Sequence, residues 1–444
     1  MDRQTATPQV EEMPGPLARE RADFHGTYAA PSTYVYDFVW DVTEPATGPF
    51  CTDADGNVLM DFTSHVGAAP LGYNNPDLLE RMEAFELVDP MKIAGQDFYT
   101  TAGDPGDVEF PGPAELMERL TEVTPDGMDT VFLSNSGAEA VENALKICYD
   151  DTAGKYGITF EGAFHGRTLG TLSLNRSKEV YRRRFPEVAS VHDAPFCRDS
   201  GCTQATCGCG FFAGDTSQLR RMLDTETDHV NPEEVAYLVL EPIQGEGGYH
   251  VPSDAFMQEV AALCDRHDIL LIVDEIQSGM GRTGEFWASE EFPIEPDVIC
   301  AAKAARVGAT VASEEVFPDE TSRLSSTWGA GDLVDAMQGA LTIDVIRERD
   351  LPANAERRGE QLRAELAAAD LPNAVDIRGR GLMQAVEFDS KERRDAVEAE
   401  TVARGLLTLA CGNKTLRLLP PLDVREREVS MAVDLLSEAA RAAT

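Results

Sequence analysis

The chain has 444 residues, 43% of them hydrophobic, enough to bury a large core and to divide into two or three structural units. Its 78 acidic and 38 basic residues give a formal net charge of −40, with the acids spread along the whole length. No basic patch is present to meet phosphate, which excludes a nucleic-acid partner, and no run of 18 apolar residues is present to span a membrane. Self-repulsion of this size is tolerated where salt screens it, and the bases are 31 Arg to only 7 Lys. With no basic segment leading into an apolar one at the start, the expected home is a salt-rich cytoplasm, where nine cysteines stay mostly reduced.

Residues 1–30 are polar, with scattered Pro and Gly, and read as a loosely held arm. "VWDVTEPATGPFCTDADGNVLMDF" (39–62) reads as short strands about the turn "DADGN". From about 115 to 310, helical patterns alternate with apolar runs that end in Gly, Asp, Glu or Ser: "TVFLSNSG", "KYGITFEGAFHG", "VAYLVLEPIQG", "ILLIVDEIQSG" and "DVICAAK". This alternation predicts an α/β fold with βαβ crossovers in one mainly parallel sheet, whose carboxyl-terminal strand ends bind ligands. "LVDAMQGALTIDVIRERD" and "NAERRGEQLRAELAAAD" have helical periodicity. "VDIRGRGLMQAVEF", "GLLTLACGNKTLRLLPPL" and "REVSMAVDLLSEAARAA" read as a terminal α+β unit.

Three of these strand ends carry chemistry. In "SNSGAEAVENALKICYD", Ser136 is placed to cap a helix, with Glu139 three residues on, and free N–H groups at such a start suit a phosphate. An ordinary capped helix reads the same way. Asp274 follows five consecutive apolar residues; a carboxylate at the end of a buried strand needs a cation. Lys303 ends the next apolar run, and a buried amine with a lowered pKa is nucleophilic toward carbonyls. Phosphate turn, acid and lysine together match the needs of pyridoxal phosphate (PLP): a Schiff-base lysine, an acid for the pyridine nitrogen and an anion cradle.

The ordered motifs "NSGAEAVENALK", "FHGRT", "EPIQGEGG", "VDEIQSGMGRTG", "SSTWG" and "LRLLPPL", with 29 residues from Asp274 to Lys303, resemble the class III (ω-) aminotransferases of PLP fold type I from about residue 35 onward. The resemblance implies a PLP-binding large domain (96–330) and a small α+β domain made of 31–95 and 331–444, after the arm 1–30. It makes Lys303 the Schiff-base lysine and proton shuttle, and Asp274 the partner of the pyridine nitrogen. Ser136, Gly137 and Ala138 would hold the phosphate. Ser326 and Thr327 would lie at the cofactor, Thr327 reaching the phosphate of the other subunit of a homodimer. Phe164 and Ile276 would sandwich the ring, His165 would line the pocket, and Gln277 would meet the phenolic oxygen. Arg417 would bind the α-carboxylate of 2-oxoglutarate, masked by Glu246 while an ω-amino substrate binds. Arg167 and Glu241 would give support, paired with each other.

Two features pull the donor in different directions. "KAARVGATVAS" departs from the glycine-rich run usual after the lysine, as lysine 6-aminotransferases also do, and "SRLSSTWG" and "RGRGLM" are similar to that group. Val66 stands where ornithine- and lysine-type enzymes have an aromatic residue and is similar to 4-aminobutyrate-type enzymes. The resemblance therefore implies transfer of a terminal amino group, of lysine or 4-aminobutyrate type, to 2-oxoglutarate. A PLP-dependent aminomutase or amino-acid racemase on the same scaffold is the alternative, separated by its lack of need for a keto acid.

"APFCRDSGCTQATCGCGFF" (194–212) contains Cys197, Cys202, Cys207 and Cys209, on none of the family's motifs. A metal-binding or redox protein built on them would leave Lys303 and Asp274 unexplained. As a loop staple, four near thiols fit zinc or an iron–sulfur group as well as plain thiols, although C-x4-C-x4-C-x-C is not the usual paired knuckle. His25, His65, His192, His229, His250 and His267 have no ligand spacing.

Overall fold

The computed structural model describes residues 1–34, 36, 38–85, 97, 103–104, 107–108, 111–224, 230–331 and 333–443. His229 lies outside these. The chain forms two compact units, residues 77–353 and residues 1–76 with 354–444.

The first unit is built on a sheet that has seven strands among the described residues: β1 (Thr130–Ser134), β2 (Tyr156–Phe160), β3 (Val191–Ala194), β4 (Val235–Leu240), β5 (Leu270–Asp274), β6 (Val298–Ala301) and β7 (Gly308–Ala312). Their order is β1-β7-β6-β5-β4-β2-β3, parallel except for β7, which runs against both its neighbours. Each apolar run of the sequence becomes one of these strands. β4 is buried along its whole length, as a strand covered on both faces must be. β3, with the sequence VHDA, has too few apolar residues for sequence alone to mark it, and β7 lies in the segment after Lys303 that had been read only as a departure.

Helix α1 (Gly137–Thr152) follows β1. Its buried stripe Ala140, Val141, Ala144, Leu145, Ile147 and Cys148 recurs at helical spacing and packs with Tyr237, Val239, Ile272 and Val298 of the sheet. Each larger side chain so buried contributes about 1.5–3 kcal/mol. Ser136 caps the helix as expected, accepting the Glu139 N–H at 3.2 Å. The Glu139 carboxylate, however, takes the N–H of Asn135, at 2.7 Å, so the return half of the capping box is displaced by one residue.

The second unit holds a three-stranded sheet (Phe50–Thr52, Val58–Asp61, Leu406–Leu407) and a four-stranded antiparallel one (Ala374–Arg380, Met383–Phe388, Thr415–Leu418, Leu409–Cys411). The chain's first residues are not loose. Arg3 is clasped by Asp423 at 2.5 Å and Glu428 at 2.7 Å, Gln9 bridges to Val58, and Pro16–Tyr28 is a helix. A guanidinium between two carboxylates is the contact that composition could not show. The unit boundaries fall at 76/77 and 353/354, where the sequence reading had 95/96 and 330/331. Helix α2 (Leu333–Glu348) belongs with the large sheet because Asp344 holds Arg119 at 2.8 Å and because Ala336, Met337 and Ala340 are buried.

Candidate active site

The carboxyl ends of five parallel strands carry the candidate residues of the first unit. β1 runs into Ser136, Gly137 and Ala138; β2 into Phe164 and His165; β4 into Glu241; β5 ends at Asp274; β6 leads to Lys303. Asp274 is in register with Cys300 on β6, which sets Lys303 just beyond the same edge. Lys303 itself is half-buried and held at φ +46°, a left-handed conformation uncommon outside glycine that sharpens the turn out of β6.

Asp274 is 5% exposed. Its Oδ2 accepts from Nδ1 of His165 at 2.8 Å and its Oδ1 from the Ile276 N–H at 3.1 Å. Burial pulls the His165 imidazole down, but the hydrogen bond and charge of Asp274 outweigh it and set it above its ordinary value. The buried carboxylate thus finds a hydrogen-bond partner in His165, which the sequence reading had placed only in the pocket lining.

Glu241 is buried. Its two oxygens take the backbone N–H of Phe164 at 3.0 Å and of Gly245 at 2.8 Å. Desolvation, only partly offset by His165, pushes its carboxyl up to about 7. The expected Arg167–Glu241 pair is absent among the described residues; the Glu241 oxygens take backbone N–H groups instead. Arg167 instead lies over the Tyr181 ring, 4.9 Å from its centre, and more distantly over Phe164.

Glu246 accepts from Lys178 Nζ at 2.5 Å and from the Tyr181 hydroxyl at 2.8 Å. Gln277 Oε1 accepts from the Tyr249 hydroxyl at 3.0 Å, which orients its amide. Lys178, Tyr181 and Tyr249 carry no motif signal and were not singled out from sequence. Nor was Glu275, buried beside Asp274. Ser326 is half-buried and Thr327 exposed. Val66 and Arg417 belong to the second unit. Val66 sits at φ +61°, strained for a β-branched side chain, in a turn tied down by Ser64 Oγ donating to the Leu419 carbonyl at 2.7 Å. Arg417 lies on the Thr415–Leu418 strand, between Ala385 and Leu409, 6% exposed.

Residues 34–440 match the family model "Aminotransferase class-III". The chain belongs to the class III aminotransferases. It is 34% identical over 403 residues to an acetylornithine aminotransferase of Methanopyrus kandleri, covering 90% of this chain and 94% of that protein. It is 33% identical over 405 residues to a putrescine aminotransferase of Pectobacterium atrosepticum, covering 88% and 79%. A solved structure of the lysine aminotransferase from M. tuberculosis in the internal aldimine form superposes with a TM-score of 0.85 at 30% identity, over 96% of this chain and all of that one. This class III aminotransferase is accordingly a transaminating enzyme of PLP fold type I.

The aminotransferase's residues fit that cofactor. A Cβ on Gly137 would stand 2.8 Å from Ile276 Cδ1, and one on Gly308 would stand 2.3 Å from the Ser136 carbonyl oxygen, so the turn at the start of α1 is a cradle that any larger residue would fill. Its N–H groups and the positive end of α1 suit the phosphate. The Asp274 carboxylate, charge-assisted by His165, suits a protonated ring nitrogen. The four cysteines lie on the segment after β3, and none of the chain's cysteines is in a disulfide.

Proposed function

We propose that the enzyme moves the terminal amino group of an ω-amino acid, of lysine or 4-aminobutyrate type, to 2-oxoglutarate, giving glutamate and a semialdehyde. The observation that carries the reading is the likeness to acetylornithine, putrescine and lysine aminotransferases, whose named amines share a primary amine at the end of an unbranched chain. PLP, when bound, supplies the electron sink for the carbon that gives up its amino group. Ser136, Gly137 and Ala138 would hold its phosphate, and the Ser136 hydroxyl, already accepting the Glu139 N–H, has its own proton to donate. Asp274, fixed by His165 and the Ile276 N–H, would keep the ring nitrogen protonated. Phe164 and Ile276 would flank the ring, and Gln277, its carbonyl oxygen turned to Tyr249, would meet the phenolic oxygen. Lys303 Nζ would take and return the proton at the donor's terminal carbon. Arg417 would grip the α-carboxylate of the keto acid, with Glu246 as the anion that serves it when no such carboxylate is bound.

A homodimer belongs to this reading: Thr327 is exposed beside Trp328, itself 54% exposed, as expected of a segment a second copy covers. So does a salt-rich cytoplasm, from the net charge of −40. No helix among the described residues is long and apolar enough to cross a membrane. The test is a donor screen at high salt with lysine, ornithine, 4-aminobutyrate and N-acetylornithine, each with 2-oxoglutarate, measuring glutamate. Glutamate from one of them, abolished in Lys303→Ala together with the visible absorption of the bound cofactor, supports the reading. Product formed with no keto acid present would overturn it in favour of an aminomutase or racemase.

A further inference from the structure

Residues 195–211 form neither helix nor strand, yet parts of the segment are as buried as the sheet. Phe196 and Phe211, at its two ends, pack their rings on Phe256, with centres 5.0 and 4.6 Å apart. Between them, Cys197 and Cys202 are 0% and 1% exposed. So long an irregular segment makes few backbone hydrogen bonds of its own, and something else must hold its middle in one conformation. The sulfurs of Cys197, Cys202 and Cys209 all lie within 4.8 Å of one another. Cys202 and Cys209 stand 3.9 Å apart, and Cys207 reaches Cys209 at 3.3 Å. Zn–S bonds of about 2.3 Å in a tetrahedron put sulfurs about 3.8 Å apart. The backbone N–H of Phe212 donates to Cys207 Sγ at 3.3 Å, the kind of bond that stabilises a thiolate.

We propose that Cys197, Cys202, Cys207 and Cys209 bind one zinc ion that staples this segment. The separations select a single ion over an iron–sulfur cluster, whose cysteines sit on different irons and stand farther apart. Binding forms four Zn–S bonds and releases four thiol protons to solvent, with no electron transferred; the site then carries a charge of −2.

The experiment uses the full-length enzyme with its cofactor, purified with zinc supplied and no chelator, and measures metals per chain. About one zinc per chain is expected. Titrating the native protein with a mercurial thiol reagent, with a metal indicator present, should release one zinc as four thiols react. Cys207→Ser and Cys209→Ser, both at half-exposed positions, should lower bound zinc at least about fivefold while the cofactor's visible absorption stays unchanged. Zinc below about 0.1 per chain, iron in its place, a disulfide among the four, or full zinc retention in both variants would each overturn the proposal. The thiol titration needs no variant, so a misfolded mutant does not decide the matter.

Discussion

Replacing Glu275 by Gln isolates one buried charge. Glu275 follows Asp274 and is 1% exposed. Its carboxylate accepts from the Ser278 hydroxyl at 2.6 Å and from the Ser289 backbone N–H at 2.6 Å. Burial nevertheless outweighs these bonds and pushes the carboxyl up from 4.5 to about 7. The folded chain therefore holds this proton more tightly than the unfolded one. The stability this provides is complete below about pH 4.5 and is lost as the pH rises through about 7. At about 1.4 kcal/mol per pH unit, the whole loss is roughly 3 kcal/mol, of which roughly 2 kcal/mol falls between pH 5.5 and 8.5. Glu275→Gln keeps the shape and does not ionise: its amide oxygen can still accept from Ser289 and its NH2 can donate to the Ser278 hydroxyl. The variant's stability relative to the native chain should thus rise by roughly 2 kcal/mol from pH 5.5 to pH 8.5. Urea unfolding at constant high salt, followed through the fluorescence of the wholly buried Trp287 in the same unit, reads this difference. All other titrations are common to both proteins and cancel. A relative stability equal at the two pH values, or greater at 5.5, would refute the assignment of a raised carboxyl.

His165→Asn removes the charge-assisted bond to Asp274, worth about 1.5–3 kcal/mol, so PLP retention after dilution should fall about tenfold to a hundredfold, read by visible absorbance; unchanged retention would contradict the role given to this pair. Gly137→Ala puts a methyl 2.8 Å from Ile276 Cδ1 and should weaken PLP retention by about tenfold or more, and Gly137→Ala with Ile276→Val, which removes that atom, should restore most of it. Arg3→Ala leaves the buried Glu428 and half-buried Asp423 carboxylates without their cation and should destabilise the unit of residues 1–76 and 354–444 by about 3 kcal/mol, seen as a lower thermal midpoint.

Much of this enzyme was legible in the chain itself. Asp274 and Lys303 stand out because each ends an uninterrupted apolar run, and a strand buried on both faces has only its ends at which to place a polar group. Ser136 stands out because a cap is a contact between residues three apart. These signals are local, and local backbone preference carries them into the fold. The identity of each residue's partner is not local. His165 meets Asp274 across 109 positions, Lys178 meets Glu246 across 68, and Arg3 meets Glu428 across 425. Where a pair between Arg167 and Glu241 was expected, the turns after β2 and β4 bring the Phe164 and Gly245 N–H groups to that carboxylate. The sequence by itself determined which strand ends place the candidate residues; only the tertiary structure decided what each buried charge meets, since desolvation demands a partner but packing alone chooses it.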